Sequence, residues 1–398
     1  MELLLFDDIE GLSDDNKHSK FKLLRDECQL LNERQLLCTY TNGLMDRDHK
    51  MVRQFQETFH STYWEIIIYQ LCLEAGFSLD QSHPFPDFIV KSPSEFYIEA
   101  VVANIKQAGT PENKRTLEDQ LSMLIPPHLQ KDFSDVLDES IIRSSNAIFS
   151  KIKKYEDYKK KSWFDDKNPF VIALSSCDQI NYGREFIYPM MALLYGRYFL
   201  PYNNGCIAKK AIKKKETGAE LPLGIFLNSD YSQISAIMYT CTNTIGKLTA
   251  LALSNGLHPF NRVLDVIRDE EDNELPFKFR IVSSSSAESI SDGVFIFHNP
   301  YAKAPIRPGL FKSTNVTHIF LEDDSLALLG VTTPLYTRFS INSAIAQCIF
   351  DKLIMESAMS WNNLTPDNIR KIVRRTSQSL CKPPVWCRIE ASHRRNYI

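Results

Sequence analysis

The segment His83-Pro84-Phe85-Pro86-Asp87 leads into the apolar run Phe88-Ile89-Val90, and a second run, Phe96-Tyr97-Ile98 and Ala100-Val101-Val102, is interrupted by Glu99. Between them Lys91-Ser92-Pro93-Ser94 reads as a turn, so the pattern predicts two strands, near 83–91 and 95–103. Strands this apolar are buried strands. An ionised carboxylate at the edge of such a pair costs on the order of several kcal/mol unless a cation or strong donors offset it. A divalent metal is the natural compensator for Asp87 and Glu99.

The surrounding chain predicts an α/β fold. Residues 1–50 read as an acidic lead and one polar helix from Ser19 to about Leu37, forming an N-terminal extension. Residues 51–75 predict a second helix, carrying Phe55, Phe59, Trp64, Ile67, Ile68, Leu71 and Cys72 and ended by Gly76. After the two strands comes a polar insertion, 107–138, in which Leu117, Leu121 and Leu124 predict a short helix. A helix from Glu139 to Lys160 then places Ile141, Ile148, Ile152 and Tyr155 on one stripe and feeds the buried strand Phe170-Val171-Ile172-Ala173-Leu174.

Residues 201–360 predict further strands at Pro222–Leu227, Ile234–Tyr239, Phe279–Val282 and Val294–Phe297, and a helix from Asn342 to Met359; they extend the sheet or form a second subdomain. The tail, 361–398, is basic: from Arg370 to Arg395 it holds eight Lys and Arg against the single acid Glu390. The 398 residues, 43% hydrophobic, suffice for a full core, and a net charge of -3 gives no whole-chain attraction to nucleic acid. The nine cysteines are scattered, without CxxC pairs or zinc spacing, as expected for reduced thiols in a cytoplasmic protein. Met1–Asp8 is too short and acidic for a signal peptide, and no apolar run approaches the roughly 18 residues of a membrane span.

The order helix, strand, strand, helix, strand from Phe55 to Ser175, with Glu65 on the first helix, Pro86-Asp87 on the hairpin and Glu99 on the next strand, resembles the PD-(D/E)XK nuclease superfamily, in a bacterial branch. The resemblance covers under a third of the chain. It implies a restriction-endonuclease-like core over 51–200, a mixed sheet flanked by helices, with additional strands and helices in the C-terminal half. It also implies a magnesium- or manganese-dependent endonuclease acting on DNA rather than RNA, with anti-phage defence as a setting, and as a homodimer or with an activating partner protein. Phosphodiester hydrolysis needs a metal to neutralise charge on the phosphate and to activate water, and magnesium prefers one or two carboxylates plus waters. Asp87 is then the central ligand, Glu99 the second, the carbonyl of Ala100 a third, and Glu65 a contributor from the helix.

One position departs from the family pattern. Where the family carries a lysine, two residues after its Glu, this chain has Val101. Lys151, three residues from Ile148 and four from Tyr155, lies at the margin of the apolar stripe and can point to the sheet; Lys106 is the second candidate. Arg143 and Lys154 are placed to grip phosphate, and Lys213, Lys214, Arg370 and Arg374 are candidate nucleic-acid contacts. The bland readings stand beside these: Thr62-Tyr63-Trp64-Glu65 matches a capping box, Asp87 suits a turn, Glu99 suits an edge strand, and Lys151, Lys153 and Lys154 belong to a solvated basic run. Val101 also keeps alive a catalytically silent nuclease fold that serves as a binding or scaffold subunit.

Overall fold

The computed structural model describes residues 3–342 apart from 107–108, 124, 126, 204, 216, 269–276, 324 and 332–333, together with Lys371. The expected helix after Asn342 and the tail with Arg370 and Arg374 lie outside the described residues. The first part of the chain is helical: α1 (Ser19–Asp26), α2 (Leu31–Tyr40), α3 (Met51–Glu57) and α4 (His60–Glu74). The strands β1 (Ser78–Asp80), β2 (Phe88–Ser92) and β3 (Phe96–Val102) follow, then α5 (Leu117–Ser122), α6 (Phe133–Tyr158) and β4 (Phe170–Ser175). Further on come α7 (Tyr188–Tyr195), the small hairpins β5 (Arg197–Leu200) with β6 (Gly205–Ala208) and β7 (Ala211–Lys213) with β8 (Glu220–Pro222), then β9 (Ala236–Thr240) and α8 (Ile245–Ser254). Last are β10 (Asn261–Arg268), β11 (Phe277–Ile281), β12 (Phe295–His298), β13 (Thr317–Glu322), β14 (Ser325–Leu329) and β15 (Leu335–Asn342).

Eight strands form one mixed sheet in the order β1-β2-β3-β4-β9-β12-β13-β14. Strands β3, β4 and β9 are mutually parallel, as are β12 and β13, while β2 runs antiparallel to β3. Alternation along β3 splits the core in two. Phe96, Ile98, Ala100 and Val102 pack with α4 on one face, whereas Tyr97 and Val101 pack with Ile141, Ile148 and Tyr155 of α6 on the other. Phe21, Leu24, Leu36 and Leu37 join the α4 face, so residues 1–50 share the core of the sheet rather than standing apart from it. Among the described residues no helix is long and apolar enough to cross a membrane.

Several expected boundaries move. The single helix over 51–75 is two helices, because Phe59 takes φ +56 between α3 and α4. Helix α4 therefore begins at His60 with no side-chain cap, and Thr62–Glu65 lies inside it instead of forming a capping box. Gly76, at φ +74, follows its end as the sequence predicts, in the left-handed conformation that glycine adopts without strain. The polar helix over Ser19–Leu37 also divides, into α1 and α2. Helix α6 starts at Phe133, six residues before Glu139, taking the end of the insertion with it. Residues 223–227 are loop, since only Pro222 of that run belongs to a strand. Strands β9, β12, β13 and β14 continue the central sheet, while β10, β11 and β15 form a separate three-stranded sheet.

Candidate active site

The β2–β3 pairing sets Phe88 opposite Ile98 and Ile89 opposite Tyr97. Continued by one residue, the same register puts Asp87 across from Glu99, and directly opposed residues point to the same face of a sheet. That face is the α6 face, because Glu99 alternates with Tyr97 and Val101. Asp87 is fixed there: its Oδ2 accepts the backbone N–H of Ala100 at 2.7 Å. The loop that carries it is strapped by Arg47, which donates to the carbonyls of His83 at 2.7 Å, Pro86 at 3.2 Å and Asp87 at 2.6 Å. Trp163 adds a hydrogen bond to the Phe85 carbonyl at 3.1 Å and stacks on His83.

Glu99 is 1% exposed. Its Oε1 accepts from Lys151 Nζ at 2.6 Å, with Lys154 Nζ farther off at 3.8 Å, and its Oε2 is buried without a hydrogen-bond partner. The structure thus brings Lys151 to Glu99 from the stripe margin of α6. Burial works against the Lys151 ammonium, yet Glu99 and Asp87 hold its pKa above the ordinary lysine value. Glu65 enters from α4, which is pinned to the sheet by Trp64 Nε1 donating to the Ala173 carbonyl at 2.9 Å.

Asp87 and Glu65 are electrostatically strained. Burial, then the charge of Glu99, pushes Asp87 up to about 7, with Lys151 and the Ala100 N–H pulling the other way. Burial, then Asp87, pushes Glu65 up to about 8, against the opposing pull of Arg47 and Lys151. Burial and the same carboxylates raise the Tyr158 phenol as well. All of these groups line one cleft of about 780 Å³, rimmed by Arg47, Lys154 and Lys161. The three carboxylates, with Glu99 Oε2 left without a partner, make a set of oxygen donors suited to a hard divalent cation. The acids are not drawn into a single sphere, however: among the described residues only His18, His60 and Asp178 form a group of three such side chains with ligand atoms within 4.8 Å of one another.

The other expected residues fall elsewhere. Arg143 is 4% exposed and donates to the Ala103 carbonyl at 2.9 Å and to Ser176 Oγ at 3.4 Å, inside the core end of α6. Lys106 pairs with Glu139 at 2.9 Å, and Lys213 shares a separate recess with both and with Arg143. Lys214 lies beside Lys213, just past the end of β7, its backbone N–H bonded to the Ala219 carbonyl at 2.9 Å. Arg47 and Tyr158 were missed by the sequence reading; Met45-Asp46-Arg47-Asp48 offers no periodicity, and Tyr158 sits one turn beyond the charged Lys154 with nothing to mark it.

No family model matches the chain, and neither the curated proteins nor the solved structures searched give a match.

Proposed function

We propose that the protein is a metal-dependent nuclease of the PD-(D/E)XK type, acting on DNA in preference to RNA. The observation that carries the reading is the buried Glu99, with Lys151 on one oxygen and nothing on the other, set beside the half-buried Asp87. The order α4, β1–β3, α6, β4, with β3 and β4 parallel, agrees with the restriction-endonuclease-like core that the sequence resembles.

In this reading Asp87, Glu99 and the Ala100 carbonyl hold a magnesium or manganese ion, with Glu65 contributing from α4. The bound ion supplies charge neutralisation at the phosphate and an activated water. Lys151 takes the part of the missing motif lysine: it fixes the rotamer of Glu99 and keeps a positive charge where phosphate oxygens arrive. Lys154 and Lys161 at the rim of the cleft attract the backbone. Arg47 holds the Asp87 loop to its place.

The test is incubation of the purified chain with plasmid, linear and single-stranded DNA and with RNA, in magnesium, manganese or EDTA, beside Asp87→Asn. Cleavage that needs the ion and disappears in the variant supports the reading; cleavage that survives Asp87→Asn refutes the site. A second reading, a silent nuclease fold that binds without cutting, is favoured by one observation, the failure of the three acids to converge to within 4.8 Å. Binding without cleavage under every condition would select it.

A further inference from the structure

A second group of metal-ligating side chains lies outside the acidic cleft. His18 caps the start of α1, His60 opens α4, and Asp178 stands beyond the end of β4. Their ligand atoms, one from each residue, lie within 4.8 Å of one another, although the residues are far apart in the chain. We propose that His18, His60 and Asp178 form a binding site for a first-row transition-metal ion of the zinc class, clamping the N-terminal segment to α4 and to the end of β4.

The surroundings fit such an ion. His60 is 7% exposed, and its Nε2 lies 2.8 Å from Oε1 of Glu112, also 7% exposed. A carboxylate there favours the tautomer with the proton on Nε2 and leaves the Nδ1 lone pair for a ligand, the outer-sphere arrangement common at zinc. Glu112 is in turn held by Lys20, 3.6 Å from its Oε2. The ring of His18 stacks on Phe59 at 5.7 Å and meets the His60 ring edge-on at 5.3 Å. Two imidazole nitrogens and one carboxylate oxygen select zinc-like ions over magnesium, which prefers oxygen alone. This separates the site chemically from the all-oxygen cleft of Asp87 and Glu99.

One contact must give way. His18 Nδ1 accepts the Lys20 N–H at 3.1 Å, so its proton is on Nε2 in the metal-free chain. Ligation through Nε2 transfers that proton to Nδ1 with no net proton change at this ring and ends the Lys20 contact. What is lost is one backbone-to-imidazole hydrogen bond, and a metal–nitrogen bond replaces it. Burial, then the neighbouring His60, holds His18 down to about 4, so at neutral pH the ring is uncharged and one of its nitrogens keeps a lone pair for a metal.

The experiment is a zinc titration of the EDTA-treated full chain by calorimetry, with thermal unfolding in parallel and cobalt as an optical probe. The expected result is one zinc per chain, a raised unfolding midpoint, and unchanged stoichiometry in Asp87→Asn. His18→Gln and His60→Gln should each weaken zinc by more than about tenfold, and Glu112→Gln should weaken it while leaving the stoichiometry. His18→Gln alters only a half-buried helix cap and decides the matter should His60→Gln fail to fold by circular dichroism. No zinc bound by the wild-type chain, affinity unchanged in the histidine variants, loss of zinc in Asp87→Asn instead, or a cobalt–thiolate charge-transfer band would each overturn the proposal.

Discussion

Replacing Asp87 by Asn should stabilise the metal-free protein at alkaline pH. The substitution keeps the shape and the acceptor: an amide oxygen can still take the Ala100 N–H that Asp87 Oδ2 takes at 2.7 Å. It removes a charge that burial and Glu99 disfavour, having pushed Asp87 from its ordinary 3.8 up to about 7. A carboxyl that holds its proton more tightly when folded makes the folded state bind more protons than the unfolded chain between those two values. Stability therefore falls as pH rises from about 4 to about 7 and is level beyond. The gap from 3.8 to about 7 corresponds to roughly 4 kcal/mol, the ceiling on the gain. Burial first and the Asp87 charge second raise Glu65, so the substitution relieves that acid as well, while burying the asparagine amide takes back part of the gain; the expected gain at pH 8 is about half the ceiling, ~2 kcal/mol. Urea unfolding at pH 4 and pH 8, in EDTA, measures it: the variant should match wild type at the acid end and exceed it at the alkaline end. Magnesium should then raise the midpoint of wild type at pH 8 and leave that of Asp87→Asn unchanged. A variant less stable than wild type at pH 8, or equally displaced at both pH values, would mean that Asp87 is not a desolvated acid beside Glu99.

Lys151→Met leaves Glu99 buried without its ion pair and should cost about 3 kcal/mol in urea unfolding at pH 8, whereas Lys154→Met, more than half exposed, should stay within about 0.5 kcal/mol. On the nuclease reading the same pair separates in turnover, Lys151→Met losing far more than Lys154→Met, and equal mild losses would reduce both to phosphate attraction. Arg47→Ala removes three hydrogen bonds to the Asp87 loop and should lower stability by about 2 kcal/mol and, on the nuclease reading, depress cleavage with it; unchanged proteolysis of residues 83–87 would count against the strap. Arg143→Ala, by contrast, should destabilise the fold and, on the nuclease reading, leave the salt dependence of DNA binding unchanged, since its guanidinium is occupied inside the core.

Much of the central sheet was legible because it depends on local pattern. The strands at Phe96–Val102 and Phe170–Ser175 and the stripe of α6 follow from period-two and helical spacing, and both kinds of spacing survive folding intact. Lys151 could be placed at the edge of that stripe for the same reason, and it meets Glu99 at 2.6 Å. What failed depends on tertiary choice. The break at Phe59, with its φ of +56, occurs in a sequence that contains neither glycine nor proline, so no local signal marks it. Charge alone suggests a phosphate contact for Arg143, but eight residues before Lys151 on α6 its long side chain reaches the Ala103 carbonyl just past β3 and the Ser176 hydroxyl instead. Arg47 and the His18, His60 and Asp178 group are brought together by packing across distant segments, and no spacing in the chain encodes them.

The position of Val101 bears on how such a site can work. Residue 101 lies on the same face of β3 as Glu99, and there its side chain packs against the α6 core cluster. A lysine on that strand would have to turn from this core to reach the carboxylate. From α6 the ammonium instead arrives directly onto Glu99 Oε1 and leaves Oε2 without a partner. On the nuclease reading the requirement is a positive charge against one oxygen of the second acid, with the other oxygen open to a cation. The chain segment that delivers the charge is secondary, and it is testable by moving it. The double substitution Val101→Lys with Lys151→Met places the ammonium on the strand again, and on the nuclease reading it should recover turnover lost by Lys151→Met alone. A double variant no more active than Lys151→Met would show that α6 supplies more than the charge.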